Sequence, residues 1–130
     1  MADNAKIQVV GVYSKNTDYS DPSAKFRGSA YTAAPDEYMH VEIQADTSPV
    51  TLTTSHLASA TGLIIKNNDP TNYVIAKWRS AEYDGSAVKD NQLRVAAGGF
   101  VVTTDFTTAN GLVLTANTAA CECEVLIFGT

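Results

Sequence analysis

The stretch TGLIIKNNDPTNYVIAKWRS, residues 61–80, sets two apolar runs around a polar knot of Asn, Asp and Pro. Two chemistries use such a knot: a calcium loop and a tight turn. A calcium loop spaces oxygen ligands at alternate positions, with Gly at the bend and a closing Glu. Asn67, Asp69 and Asn72 offer oxygens, but the loop has no Gly and no closing carboxylate. Turn chemistry accounts for each residue. Asp69 suits the first position of a type I turn, where its side chain accepts from an N–H two residues on, and Pro70 sets φ at the second. Asn68 and Asn72 flank it as turn formers. The knot therefore reads as a turn between two strands, GLIIKN at 62–67 and NYVIAKWR at 72–79. In the second, Val74, Ala76 and Trp78 share one face, and Tyr73, Ile75, Lys77 and Arg79 share the other.

Alternation continues on both sides of the knot. YMHVEIQA puts Met39, Val41, Ile43 and Ala45 on one face and Tyr38, His40, Glu42 and Gln44 on the other, the pattern of a half-buried antiparallel strand. PVTLTTS, QLRV at 92–95, GFVVTT at 99–104, GLVLTA at 111–116 and CECEVLIF at 121–128 read as further strands, with IQVVGVY at 7–13 as the first. Turn residues fill the gaps in NNDPT, AEYDGSAVKD, AAGG, TTAN and NTAA. SHLASATG, residues 55–62, allows one or two helical turns at most, with Ser55 as N-cap. About eight or nine short strands at this spacing predict an all-β, antiparallel β-sandwich of jelly-roll type. The last strand turns apolar on both faces, so Leu126–Phe128 is expected to be buried, between strands or between subunits.

Residues 14–36, SKNTDYSDPSAKFRGSAYTAAPD, do not fit that rhythm. A polar run of this length inside a small domain is either functional or without fixed structure. FRGSAY at 26–31 allows one short strand. The chain thus reads as a single domain of two parts: an extended N-terminal arm and loop over 1–36, and a β-sandwich over 37–130.

Composition excludes several functions. The 130 residues carry a formal charge of -5, and the nine basic side chains form no cluster. Nucleic-acid and anionic-membrane binding draw on clustered Lys and Arg, so neither partner is expected. No apolar run approaches the roughly 20 residues of a membrane span. MADNAKIQVV lacks the basic start and apolar stretch of a secretory signal, so assembly in a cytoplasm is expected. Cys121 and Cys123 project to one face of a strand and read as free thiols, because a metal or redox pair calls for C-x-x-C spacing or further ligands. His40 and Glu42 share a face as alternation dictates, and His56 has no evident partner. There is no G-x-S-x-G elbow, phosphate loop or H-E-x-x-H, so no catalytic, cofactor or metal site is expected, and the protein reads as a non-enzyme.

Two segments carry a resemblance. GLIIKNNDPTNYVIAKW and LRVAAGGFVVTTDFTTANGLVLTANTAACECEVLIFGT resemble small proteins of tailed bacteriophages. The matching positions are Asn67, Asp69, Asn72, Tyr73 and Val74, then Gly98 and Gly99, then Ala116, Thr118, Ala119 and Ala120. The likeness spans residues 49–130. It departs at Ala97-Gly98-Gly99, where such proteins commonly have Pro-Gly-Glu. It implies a virion component with a jelly-roll fold: a capsid decoration or cement protein, or a small tail or neck subunit. The expected partners are the major capsid protein or other virion subunits and copies of the same chain, with a trimer as the working guess. Because aromatic and Arg side chains are enriched at interfaces, Tyr19, Phe26, Arg27, Tyr31, Tyr73 and Arg79 are the candidate contact residues. The alternative is a tail or fibre module binding a host-surface glycan, which would need an exposed platform built from Tyr73, Trp78 or Tyr83.

Overall fold

A computed structural model of the 130-residue chain describes residues 4–14, 24–27, 30–33, 37–53, 57, 60–80, 89–104, 106 and 111–129. The chain divides into two units, Met1–Ala34 and Pro35–Thr130. All strands described are antiparallel, and no sheet closes on itself.

The first unit holds four short strands: β1 (Ala5–Ile7), β2 (Val10–Tyr13), β3 (Ala24–Arg27) and β4 (Tyr31–Ala33). β1 pairs with β4 and β2 with β3. The strand expected over residues 7–13 is therefore two strands with different partners. Two residues separate β1 from β2 and three separate β3 from β4, so one ladder cannot run through in register. The single short strand expected within FRGSAY is likewise split, with Phe26 and Arg27 ending β3 and Tyr31 opening β4.

The second unit holds eight strands: β5 (Glu37–Ala45), β6 (Val50–Leu52), β7 (Ala60–Asn67), β8 (Val74–Ser80), β9 (Lys89–Val95), β10 (Phe100–Thr103), β11 (Leu112–Ala116) and β12 (Cys121–Gly129). They form two four-stranded sheets, ordered β10-β7-β12-β5 and β6-β11-β8-β9. Four pairings are nested by sequence: β5 with β12, β6 with β11, β7 with β10 and β8 with β9. With the first unit the described strands number twelve, against the eight or nine expected. The surplus lies in residues 1–34, where short β-prone segments had no apolar rhythm to reveal them.

The two sheets feed one hydrophobic cluster in a sandwich-like arrangement. Leu63, Ile65, Val125 and Ile127 come from one sheet, and Val74, Ala76, Leu112 and Leu114 from the other. The alternation read from sequence locates these faces, because successive side chains leave a strand on opposite sides. Fully burying each Val, Leu or Ile stabilises by about 1.5–3 kcal/mol relative to exposure. The first unit has much less of this: Ile7 is its buried apolar side chain among those described.

The knot at residues 67–72 locks one end of the second unit. Asp69 accepts from the backbone N–H groups of Thr71 and Asn72 through Oδ1, the turn expected of Asp-Pro. Asn67 is fully buried, and its Nδ2 donates to the carbonyls of Asn72 (2.8 Å) and Ala96 (3.2 Å). Its Oδ1 accepts from the Asp69 N–H at 3.0 Å. Backbone bonds add Gly98 N–H to the Asp69 carbonyl and Asn68 N–H to the Glu122 carbonyl, and Thr118 Oγ1 donates to Asn72 Oδ1. Gly98 adopts a φ of 68°, a left-handed conformation that most residues avoid. Burying an amide is tolerable only when its hydrogen bonds are met, and the three turns meet them mutually.

Candidate interaction surface

The arm formed by β2 and β3 exposes apolar side chains on both faces. Its register pairs Val10 with Arg27, Gly11 with Phe26, Val12 with Lys25 and Tyr13 with Ala24. Val10, Val12 and Lys25 fall on one side, and Gly11, Phe26, Tyr13 and Ala24 on the other. Val10, Tyr13 and Phe26 are each exposed by 60% or more. Phe26 sits beside Gly11, where an added Cβ would already be 3.4 Å from the Phe26 Cβ. A two-stranded ladder is marginal by itself in water, and the exposed Phe26 and Tyr13 present apolar surface along it. The chemistry on offer is apolar anchoring plus strand addition.

The six candidate contact residues separate. Phe26 is exposed on the arm. Arg27 follows it in β3 opposite Val10, and Tyr31 opens β4 opposite Ile7; the side chains of both lie outside the described residues, as does Tyr19 entirely. Tyr73 and Arg79 belong to the second unit. Tyr73 is half-buried, with the Arg94 guanidinium stacked 3.8 Å from its ring centroid. Arg79 is paired in register with Asp90, and its side chain is outside the described residues. The sequence reading did not single out Val10, Val12 and Tyr13, because IQVVGVY reads only as a first strand with no face assigned to it. It also missed Arg94, whose partnership with Tyr73 is a cross-strand diagonal that linear spacing does not display.

Trp78 is core, at 8% exposure, which removes it from any sugar-stacking platform. Tyr73 offers its ring to Arg94, and Tyr83 lies outside the described residues. His40 does not pair with Glu42; its Nε2 lies 3.0 Å from Glu124 Oε2 on the adjacent strand, because cross-strand diagonals bring long side chains together. His56 and half of SHLASATG lie outside the described residues, and residues 60–62 of that segment begin β7.

Cys121 and Cys123 are free and buried. Burial first, then the Asp69 charge, pushes the Cys121 thiol up. Burial, aided by Cys121, Glu122 and Asp69, pushes the Cys123 thiol up to about 11. Both are thus held as neutral thiols, poor nucleophiles at neutral pH. Asp69 has its carboxyl lowered by the N–H groups of Asn72 and Thr71. Among the described residues no group of three or more His, Cys, Asp or Glu side chains could hold a metal ion.

No family model, no curated protein and no solved structure matches this chain.

Proposed function

We propose that this chain is a non-enzymatic structural component of a bacteriophage virion, a capsid decoration or cement protein that docks on the shell as a homo-oligomer and stabilises it. The observation that carries the reading is the β2–β3 arm, a two-stranded element with exposed Val10, Tyr13 and Phe26 and little core of its own. Such an arm is completed by a neighbour. A protein that binds the assembled shell and not its dissociated subunits stabilises the shell by mass action, and many symmetric copies add avidity. The partners in this reading are the major capsid protein or other virion subunits, and assembly takes place in the host cytoplasm.

The nested strand pairs of Pro35–Thr130 support a jelly-roll description of the sandwich. Counting its strands one to eight, the pairs are one with eight, two with seven, three with six and four with five. A long hairpin rolled into two sheets produces that nesting. The residues behind the resemblance to phage proteins also converge in space: Asn67, Asp69, Asn72, Gly98, Gly99 and Thr118 all belong to the interlocked turns. These are scaffold features, so the resemblance bears on fold more than on any contact surface.

Copy number tests the placement. Particles carrying a labelled chain are imaged and the label counted. Hundreds of copies fit a shell role, whereas about six to twelve would transfer the protein to a neck or tail, since each site repeats with the axis it occupies.

A further inference from the structure

We infer that the outer faces of the two sheets in Pro35–Thr130 are complementary and pack head to tail between copies of this chain. The inference deepens the homo-oligomer part of the proposed function and is independent of the arm.

The face of β10-β7-β12-β5 that points away from the core carries a knob and negative charge. Along one row the register runs Phe100, Lys66, Glu124 and Glu42. Phe100 stands 64% exposed at the sheet edge. Glu122, Glu124 and Glu42 share this face with Lys66, and His40 is bonded to Glu124. Carboxylates therefore outnumber lysines among the described side chains here.

The outer face of β6-β11-β8-β9 carries a hollow and positive charge. Pro49, Ile75, Lys77, Gln92, Val113 and Thr115 line an open depression of about 440 Å³. Ile75 and Val113 are half-buried within it, while Lys77 and Gln92 are exposed at its side. Arg94 stands across from Ile75, its guanidinium stacked on Tyr73. Stacking fixes the plane of the guanidinium and leaves its N–H edges for a carboxylate. Among the described side chains on the strands of this face, Lys77 and Arg94 are charged and no Asp or Glu is present.

Each face thus has what the other lacks. A phenyl ring fits a hollow of this size, against Pro49, Ile75 and Val113. Strands lie about 4.8 Å apart, so Glu124 falls about 10 Å and Glu42 about 14 Å from Phe100, with Lys66 next to the ring, while Lys77 and Arg94 lie within about 7 Å of Ile75. Like faces would bring Glu to Glu or Lys and Arg to each other, which opposes a symmetric dimer through either sheet. A face meeting a different face is heterologous, and it closes into a ring when the rotation between copies allows.

Sedimentation velocity on the full chain over a concentration series, at low and high salt, tests this. The expected result is association that weakens with salt. Phe100→Ser and Lys77→Glu should each weaken it by about tenfold or more, as loss of an interface anchor does. Both positions are exposed, and circular dichroism checks that each variant is folded. Geometry is read by mixing two single-site variants, Gln92→Cys and Lys66→Cys, under mild oxidation, because Lys66 is the register partner of Phe100 and Gln92 lines the hollow. Head-to-tail packing predicts disulfides between the two variants. Disulfides that form within each variant alone, a monomer at every concentration, or association indifferent to both Phe100→Ser and Lys77→Glu would each overturn the inference. None of these outcomes touches docking through the arm, which has its own assay.

Discussion

Phe128 on β12 lies directly across from Gly62 on β7, and its ring fills the space where a side chain at position 62 would begin. A Cβ there would stand within 3.0 Å of three ring carbons. The pair resembles an aromatic laid over a strand glycine to shield its backbone. Phe128 is 3% exposed although it stands on the face away from the main cluster, and the glycine gives room for one face of its ring.

Gly62→Ala should therefore lower stability by about 1–3 kcal/mol, the range for overpacking. The same change made in a Phe128→Leu background should do less, because the obstructing ring is gone. Urea unfolding of the four proteins gives the coupling. Equal losses in both backgrounds would mean that the ring is not what reserves the glycine.

Asn67→Ala should be among the most damaging polar substitutions in the second unit. It strands the carbonyls of Asn72 and Ala96 and the Asp69 N–H around a buried position. Leaving a buried polar group unpaired costs about 1–3 kcal/mol, so a loss of at least about 2 kcal/mol is expected in chemical denaturation. A change within about 0.5 kcal/mol, as at an ordinary surface site, would contradict the hub.

Asp69 should give the fold an acid-sensitive element. Its carboxyl is lowered from 3.8 by hydrogen bonds from the Asn72 and Thr71 N–H groups. A depressed carboxyl contributes stability that is full above the unfolded value and lost as pH falls through the folded one. Asp69→Ala should lower Tm at pH 7 and flatten the fall in Tm below about pH 4. Parallel Tm curves for both proteins through that range would count against the turn as the cause.

The thiols act at the opposite end of the pH scale. The Cys123 thiol is raised from 9.0 to about 11, mainly by burial. The unfolded chain loses this proton first, so stability is full below about pH 9 and falls as pH rises towards about 11. Cys123→Ala should show a shallower alkaline decline in urea midpoint than the parent. Aromatic disulfide reagents at pH 8 should label neither Cys121 nor Cys123 until denaturant is added; rapid labelling of the native protein would refute their burial.

Much of the second unit was legible because two physical signals coincide there. Alternation in residues 38–45 and 72–79 placed Met39, Val41, Val74 and Trp78 inward, and the Asp-Pro knot ended one strand and began the next. Pairing order was not legible, since nothing in β5 names β12 as its partner. Asn67 looked like one turn former among several; its burial follows from two other turns closing over it, a tertiary fact. The arm was the least legible part. In IQVVGVY the valines signal a strand, but a strand with both faces exposed has the same letters as one with a core, and the break at Gln8 and Val9 depends on the count of residues in the opposing segment.

The most direct test of the central claim is occupancy on particles. The full chain, a Phe26→Ser variant and a chain lacking residues 1–34 are each supplied to particles devoid of the protein, and bound copies are counted after sedimentation. Circular dichroism first establishes that the shortened chain keeps its β-structure. The account predicts full occupancy for the parent, a marked loss for Phe26→Ser, and folded but unbound protein for the truncation. Full occupancy by the truncated chain would contradict it.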